Sequence, residues 1–68
     1  MQLFLRDPTY TDPLAAFLTS VGRRAVVAAP DRVDVDASDD ESQRLELELL
    51  LGVWRVLEPN GQVELAPG

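Results

Sequence analysis

Ser38 to Glu58, SDDESQRLELELLLGVWRVLE, is the stretch on which the reading of this 68-residue chain turns. It holds Leu45, Leu47, Leu49, Leu50, Leu51, Val53, Trp54, Val56 and Leu57, the densest apolar block in the sequence. Its start carries an S-x-x-E capping box. The Ser38 hydroxyl can accept from the Glu41 backbone N–H, and the Glu41 carboxylate can reach back to the Ser38 N–H. Asp39, Asp40 and Glu41 place negative charge where a helix dipole is positive. Gln43 to Leu51 consists of Leu, Glu, Gln and Arg, all good helix formers, with no β-branched residue. Asp40 and Arg44 stand at i,i+4 with the acid first, the favourable order. Pro59 and then Asn60-Gly61 supply the stop. The pattern predicts one long amphipathic helix.

A rival reading uses the same residues. Arg44 to Leu49 alternates polar and apolar as a half-buried strand does. Gly52 would then end an element, and residues 53–58 would form a strand or one arm of a hairpin with 62–66. The capping box and the run of helix formers favour the single helix. Gly52 inside it costs about 1 kcal/mol relative to Ala and allows a kink.

On a helical wheel Glu41, Arg44, Glu48, Gly52 and Arg55 share one polar sector. Leu45, Leu49, Val53 and Val56 form one apolar stripe, and Leu47, Leu50, Leu51 and Trp54 form another. That is more apolar arc than contact with one sheet requires. Two stripes imply two packing partners: the sheet, and either the first helix or a second copy of the chain. Glu46 is expected to overhang the sheet edge into water, since charged side chains are rarely buried unpaired.

The flanking segments supply the sheet. Met1 to Arg6 reads as a strand with Met1, Leu3 and Leu5 on one side and Gln2, Phe4 and Arg6 on the other. Phe4 is an aromatic on the nominally outer face. Asp7 to Thr11 is a loop whose Tyr10 folds back on the domain. Asp12 to Val21 is the first helix, with Asp12 as N-cap and Pro13 at N1. Leu14, Phe17, Leu18 and Val21 recur at helical spacing, and Gly22 suits the position after the helix. Arg23 to Ala29 is a second strand; its unbroken Ala/Val run suits a central or well-covered position. A turn at Ala29-Pro30-Asp31-Arg32 leads into a third strand, Arg32 to Ala37, paired antiparallel with the second. Gln62 to Ala66 is the fourth, with Val63 and Leu65 inward. The order strand–helix–strand–strand–helix–strand predicts an α+β fold: a small ferredoxin-like βαββαβ sandwich, with a four-stranded antiparallel sheet and two helices on one face. The other face would carry Gln2, Phe4, Asp34, Asp36, Gln62 and Glu64.

Composition narrows the function. Sixty-eight residues are expected to make a single domain, 1–68, which buries only about 60% of its unfolded surface. There is no Cys to form a disulfide or a thiolate metal site, and no His to serve as ligand or neutral-pH base. Helix packing or self-association has to supply the remaining stability. Net charge is −6, with 12 acids against six arginines, which argues against nucleic acid or an anionic membrane as partner. No apolar run reaches membrane-spanning length, and no signal segment opens the sequence, so the expected compartment is the cytoplasm.

Little in the sequence points to metal or catalytic chemistry. Asp34, Asp36 and Ser38 match the first, third and fifth places of a calcium loop. Asp39 stands where that loop needs Gly, and Leu45 where it needs Glu, so metal binding is not expected. The Arg23-Arg24 pair reads as a charge partner for the helix end or, more sharply, as an anion site. Without His, Cys or Lys there is no evident activated nucleophile or tunable base, so the chain is expected not to be an enzyme and to need no cofactor.

The fold shape is shared by several known modules. Heavy-metal-associated domains carry Cys-x-x-Cys where this chain has DPTYT. RNA-recognition motifs carry aromatics on central strands where this chain has RVDVDA and RRAVVAA. ACT-type sensors have the same topology without a short diagnostic motif. These likenesses of fold carry no function. The expectation is a small acidic protein–protein interaction module that self-associates as a homodimer. The alternative is an ACT-like regulatory domain that binds a small molecule. Phe4, Leu47, Leu51 and Trp54 are the candidate interaction residues.

Overall fold

The computed structural model describes residues 1–37 and 40–66. Its elements are β1 (Gln2–Leu5), α1 (Thr11–Ser20), β2 (Ala25–Ala29), β3 (Arg32–Val35), α2 (Glu41–Leu57) and β4 (Val63–Ala66), with a 3-10 turn over Pro8–Tyr10. The strands form one sheet in the order β2-β3-β1-β4, every neighbouring pair antiparallel. This is the ferredoxin-like arrangement that the element order predicts.

One side of the sheet builds the core. Leu3 lies opposite Val33 and Leu65, and Leu5 opposite Val63. With Val35 these residues meet Leu14 and Leu18 of α1 and Leu47, Leu51 and Trp54 of α2. Both helices lie on this side; the other side carries Gln2, Phe4, Arg32, Asp34 and Glu64. Phe4 sits there between Arg32 and Glu64 and is partly buried. Arg32 and Asp34 form a loose ion pair at 3.7 Å, and Arg6 reaches Glu64 at 3.4 Å.

The helix limits shift from the sequence expectation for local reasons. Asp7 accepts from the Thr9 N–H at 3.0 Å and from its hydroxyl at 2.7 Å, which closes the 3-10 turn ahead of α1. Helix α1 therefore starts at Thr11, with Tyr10 rather than Asp12 at the N-cap and Asp12 inside the first turn. Thr11 is buried, and its hydroxyl donates to the Pro30 carbonyl at 2.6 Å, tying the helix start to the β2–β3 turn. Gly22, at φ +89°, ends α1 in the left-handed region. The Arg23 N–H reaches the Leu18 carbonyl and the Gly22 N–H that of Thr19, as in a Schellman motif. Val21 is thereby turned outward, not into the core.

Strand β2 corrects a second expectation. It is an edge strand, paired only with β3, and Val26, Val27 and Ala28 are exposed. The register skips Ala28, a bulge of the kind that blunts sheet edges. An apolar run of small residues reads the same for a covered strand and for an edge, because Ala needs little cover.

Helix α2 is continuous through Gly52 to Leu57, so residues 53–58 do not form a strand. Its N-cap is Asp40, two residues later than the expected capping box, whose Ser38 lies outside the described residues. Beyond the helix, the Gly61 N–H donates to the Glu58 carbonyl and the chain turns into β4.

Candidate functional site

Successive helical residues are separated by about 100°, so the two apolar stripes of α2 face opposite directions. Leu47, Leu51 and Trp54 are at most 3% exposed and belong to the core. Trp54 is the most constrained of them. Its indole N–H donates to the Gly61 carbonyl at 2.7 Å, with Tyr10 edge-on at 6.4 Å and Phe17 tilted at 5.6 Å. These three side chains, expected to meet a partner, are occupied within the chain's own fold. Phe4 is only partly buried and lies on the open sheet face, flanked by charge.

The surplus apolar surface is the other stripe. Leu45 is 54% exposed, Leu49 74%, Val53 52% and Val56 79%, and Leu57 beside them is 60% exposed. Val56 lies 11 residues beyond Leu45, about 16 Å along the helix. Leu47, Leu51 and Trp54, the residues singled out from the sequence, lie on the core stripe, and the solvent-facing stripe is the other one. The available signal was aromatic: a Trp needs a hydrogen-bond acceptor when buried, and only the fold supplied Gly61 at that point.

Charged residues near this surface are mostly matched. Arg23, at the end of α1, reaches Glu46 of α2 at 2.6 Å. Glu46 faces water as expected, but as the partner of Arg23, whose mostly buried side chain is thereby not a free anion-binding cation. Arg44 and Glu48 form an i,i+4 pair at 3.8 Å. The Asp7 carboxyl is held below its ordinary value of 3.8 by the Thr9 hydroxyl and then the Thr9 N–H.

Two other surfaces compete. A groove of about 410 Å³ is lined by Arg6, Arg55, Pro59, Gln62, Val63 and Glu64. All but Val63 are exposed, so it is an open trough and not an enclosed site. The β2 edge presents a short backbone ladder. The Asp36 N–H bonds to the Arg24 carbonyl, which fixes the alternation and turns the amide and carbonyl of Ala25 and Val27 outward. Among the described residues no cluster of three or more acidic side chains could hold a metal ion, and no helix is long and apolar enough to cross a membrane.

No family model, curated protein or solved structure matches this chain. The site has to be read from its own chemistry.

Proposed function

We propose that this chain is a non-catalytic protein–protein interaction module that self-associates, and that the outer face of α2 is the contact surface. The observation that carries the reading is the solvent-facing stripe Leu45, Leu49, Val53, Val56 on a helix whose opposite stripe already fills the core. Contiguous apolar patches of this kind mark interaction sites on small soluble proteins. A second copy is the occupant with the clearest physical motive. A stable interface takes about 800 Å² from each partner, roughly a fifth of the 4245 Å² surface here. Burial on that scale supplements a core that, among the described residues, holds ten buried side chains in a chain without disulfides. The absence of His, Cys and Lys from the sequence, and the ion pairing of Glu46, Glu48 and Glu64, support a binding role over acid–base chemistry.

Melting temperature tests this by mass action. A partner that binds only the folded chain makes the midpoint rise with protein concentration. The wild type is expected to show that rise, and Leu49→Glu to melt at one temperature across the same range. A wild-type midpoint independent of concentration would overturn the proposal.

A further inference from the structure

Resting on the self-association just proposed, we infer that the two α2 helices pair antiparallel, about a two-fold axis that crosses the helix between Leu49 and Val53. Two independent properties of the stripe select this arrangement.

The first is charge. The first half of α2 and its N-cap carry Asp40, Glu41, Glu46 and Glu48 against Arg44 and the Arg23 paired to Glu46, and stay net acidic; from Leu49 to the C-cap the charges are Arg55 and Glu58, which cancel. Parallel pairing sets two acidic halves side by side. Antiparallel pairing sets each acidic half beside the half that holds Arg55, and it also opposes the two helix dipoles. In a chain of net charge −6 that difference matters, because any contact already works against mutual repulsion.

The second is size. The exposed side chains of the first half are Leu45 and Leu49; those of the second half along the same line are Val53 and Val56. Antiparallel pairing places Leu45 opposite Val56 of the other copy and Leu49 opposite Val53. Along the line of the stripe each contact is then one large and one small side chain, with Leu57 to the side of Val56, so the helices approach evenly. Parallel pairing gives Leu on Leu at one end and Val on Val at the other, which splays the axes and leaves the valines poorly packed. The β2 edge is the competing place for a second copy, but its regular part offers the outward backbone groups of only Ala25 and Val27 before the bulge at Ala28.

The sequence has no Cys, so single thiols can be placed cleanly. Leu45→Cys and Val56→Cys, both at exposed positions, are prepared separately and folding is checked by circular dichroism. A bifunctional thiol reagent with a reach well under the ~16 Å between these positions along one helix is then applied. Antiparallel pairing predicts no linked dimer from either variant alone. It predicts linked dimers from an equimolar mixture that has been allowed to exchange, in up to half of the pairs. Linkage of Leu45→Cys to itself would overturn the inference in favour of a parallel pair. If no combination links, sedimentation separates the two failures: a dimer that does not link through α2 removes this arrangement and leaves self-association standing, whereas a monomer removes both.

Discussion

At the scale of single residues, Trp54 fixes how the end of the chain is built. Its ring packs against Tyr10 and Phe17, and its N–H holds the Gly61 carbonyl. A Cβ on Gly61 would lie 2.9 Å from the indole Cζ2 and 3.1 Å from both the indole nitrogen and the Tyr10 ring. Gly61→Ala is therefore expected to cost about 1–3 kcal/mol through overpacking. Gly52 is the opposite case. It is helical and a Cβ there meets nothing, so Gly52→Ala is expected to stabilise by up to about 1 kcal/mol. Urea unfolding followed by the fluorescence of Trp54, the one tryptophan, reads both changes. Thr11→Val removes the donor to the Pro30 carbonyl and is expected to cost about 1–2 kcal/mol in the same assay. Asp7 makes a pH prediction. Its folded carboxyl titrates below the unfolded value, so its contribution is present above that value and is lost as pH falls through the folded one. Asp7→Asn should therefore lower thermal stability at neutral pH and flatten the acid limb below about pH 4, so that variant and wild type converge at low pH.

At the scale of elements, the sequence was legible where several local signals agreed. The 3.6-residue pattern, the acidic start and the Pro59 stop gave α2 as one helix despite Gly52 and the alternation in Arg44 to Leu49. Alternation in VDV and VEL gave β3 and β4 with their inward residues. The misreadings share a cause. Ala25 to Ala29 fits an edge as well as a centre, and Ser38 and Asp40 are equally good N-caps, so only tertiary pairing decides such cases. Which stripe of α2 enters the core was hidden for the same reason, since both are apolar and of similar length. That distinction can be measured by placing the same charge on each stripe. Leu51→Glu is expected to cost more than about 3 kcal/mol and to abolish the cooperative transition, because it buries an unpaired carboxylate. Leu49→Glu should keep the wild-type circular dichroism spectrum and lose only association. If both variants unfold alike, the outer stripe is structural in a way the fold does not account for.

At the scale of the whole molecule, shortage of core and excess of negative charge act against each other. A chain of this length gains from burying more apolar surface, which favours pairing. A net charge of −6 on each copy opposes it over distances up to the Debye length. Added salt should therefore tighten the dimer at neutral pH, with a dissociation constant that falls as ionic strength rises until screening is complete. Weaker pairing in salt would mean that ion pairs across the contact outweigh the global repulsion. The single arginine in the second half of α2 makes that balance a property of Arg55 above all. The most direct measurement is sedimentation of the wild-type chain over a wide concentration series at neutral pH. The expected result is a mass of twice the 7.5 kDa chain, dissociating only on dilution. A species of 7.5 kDa at every concentration would contradict self-association and with it the assigned role of the outer face of α2.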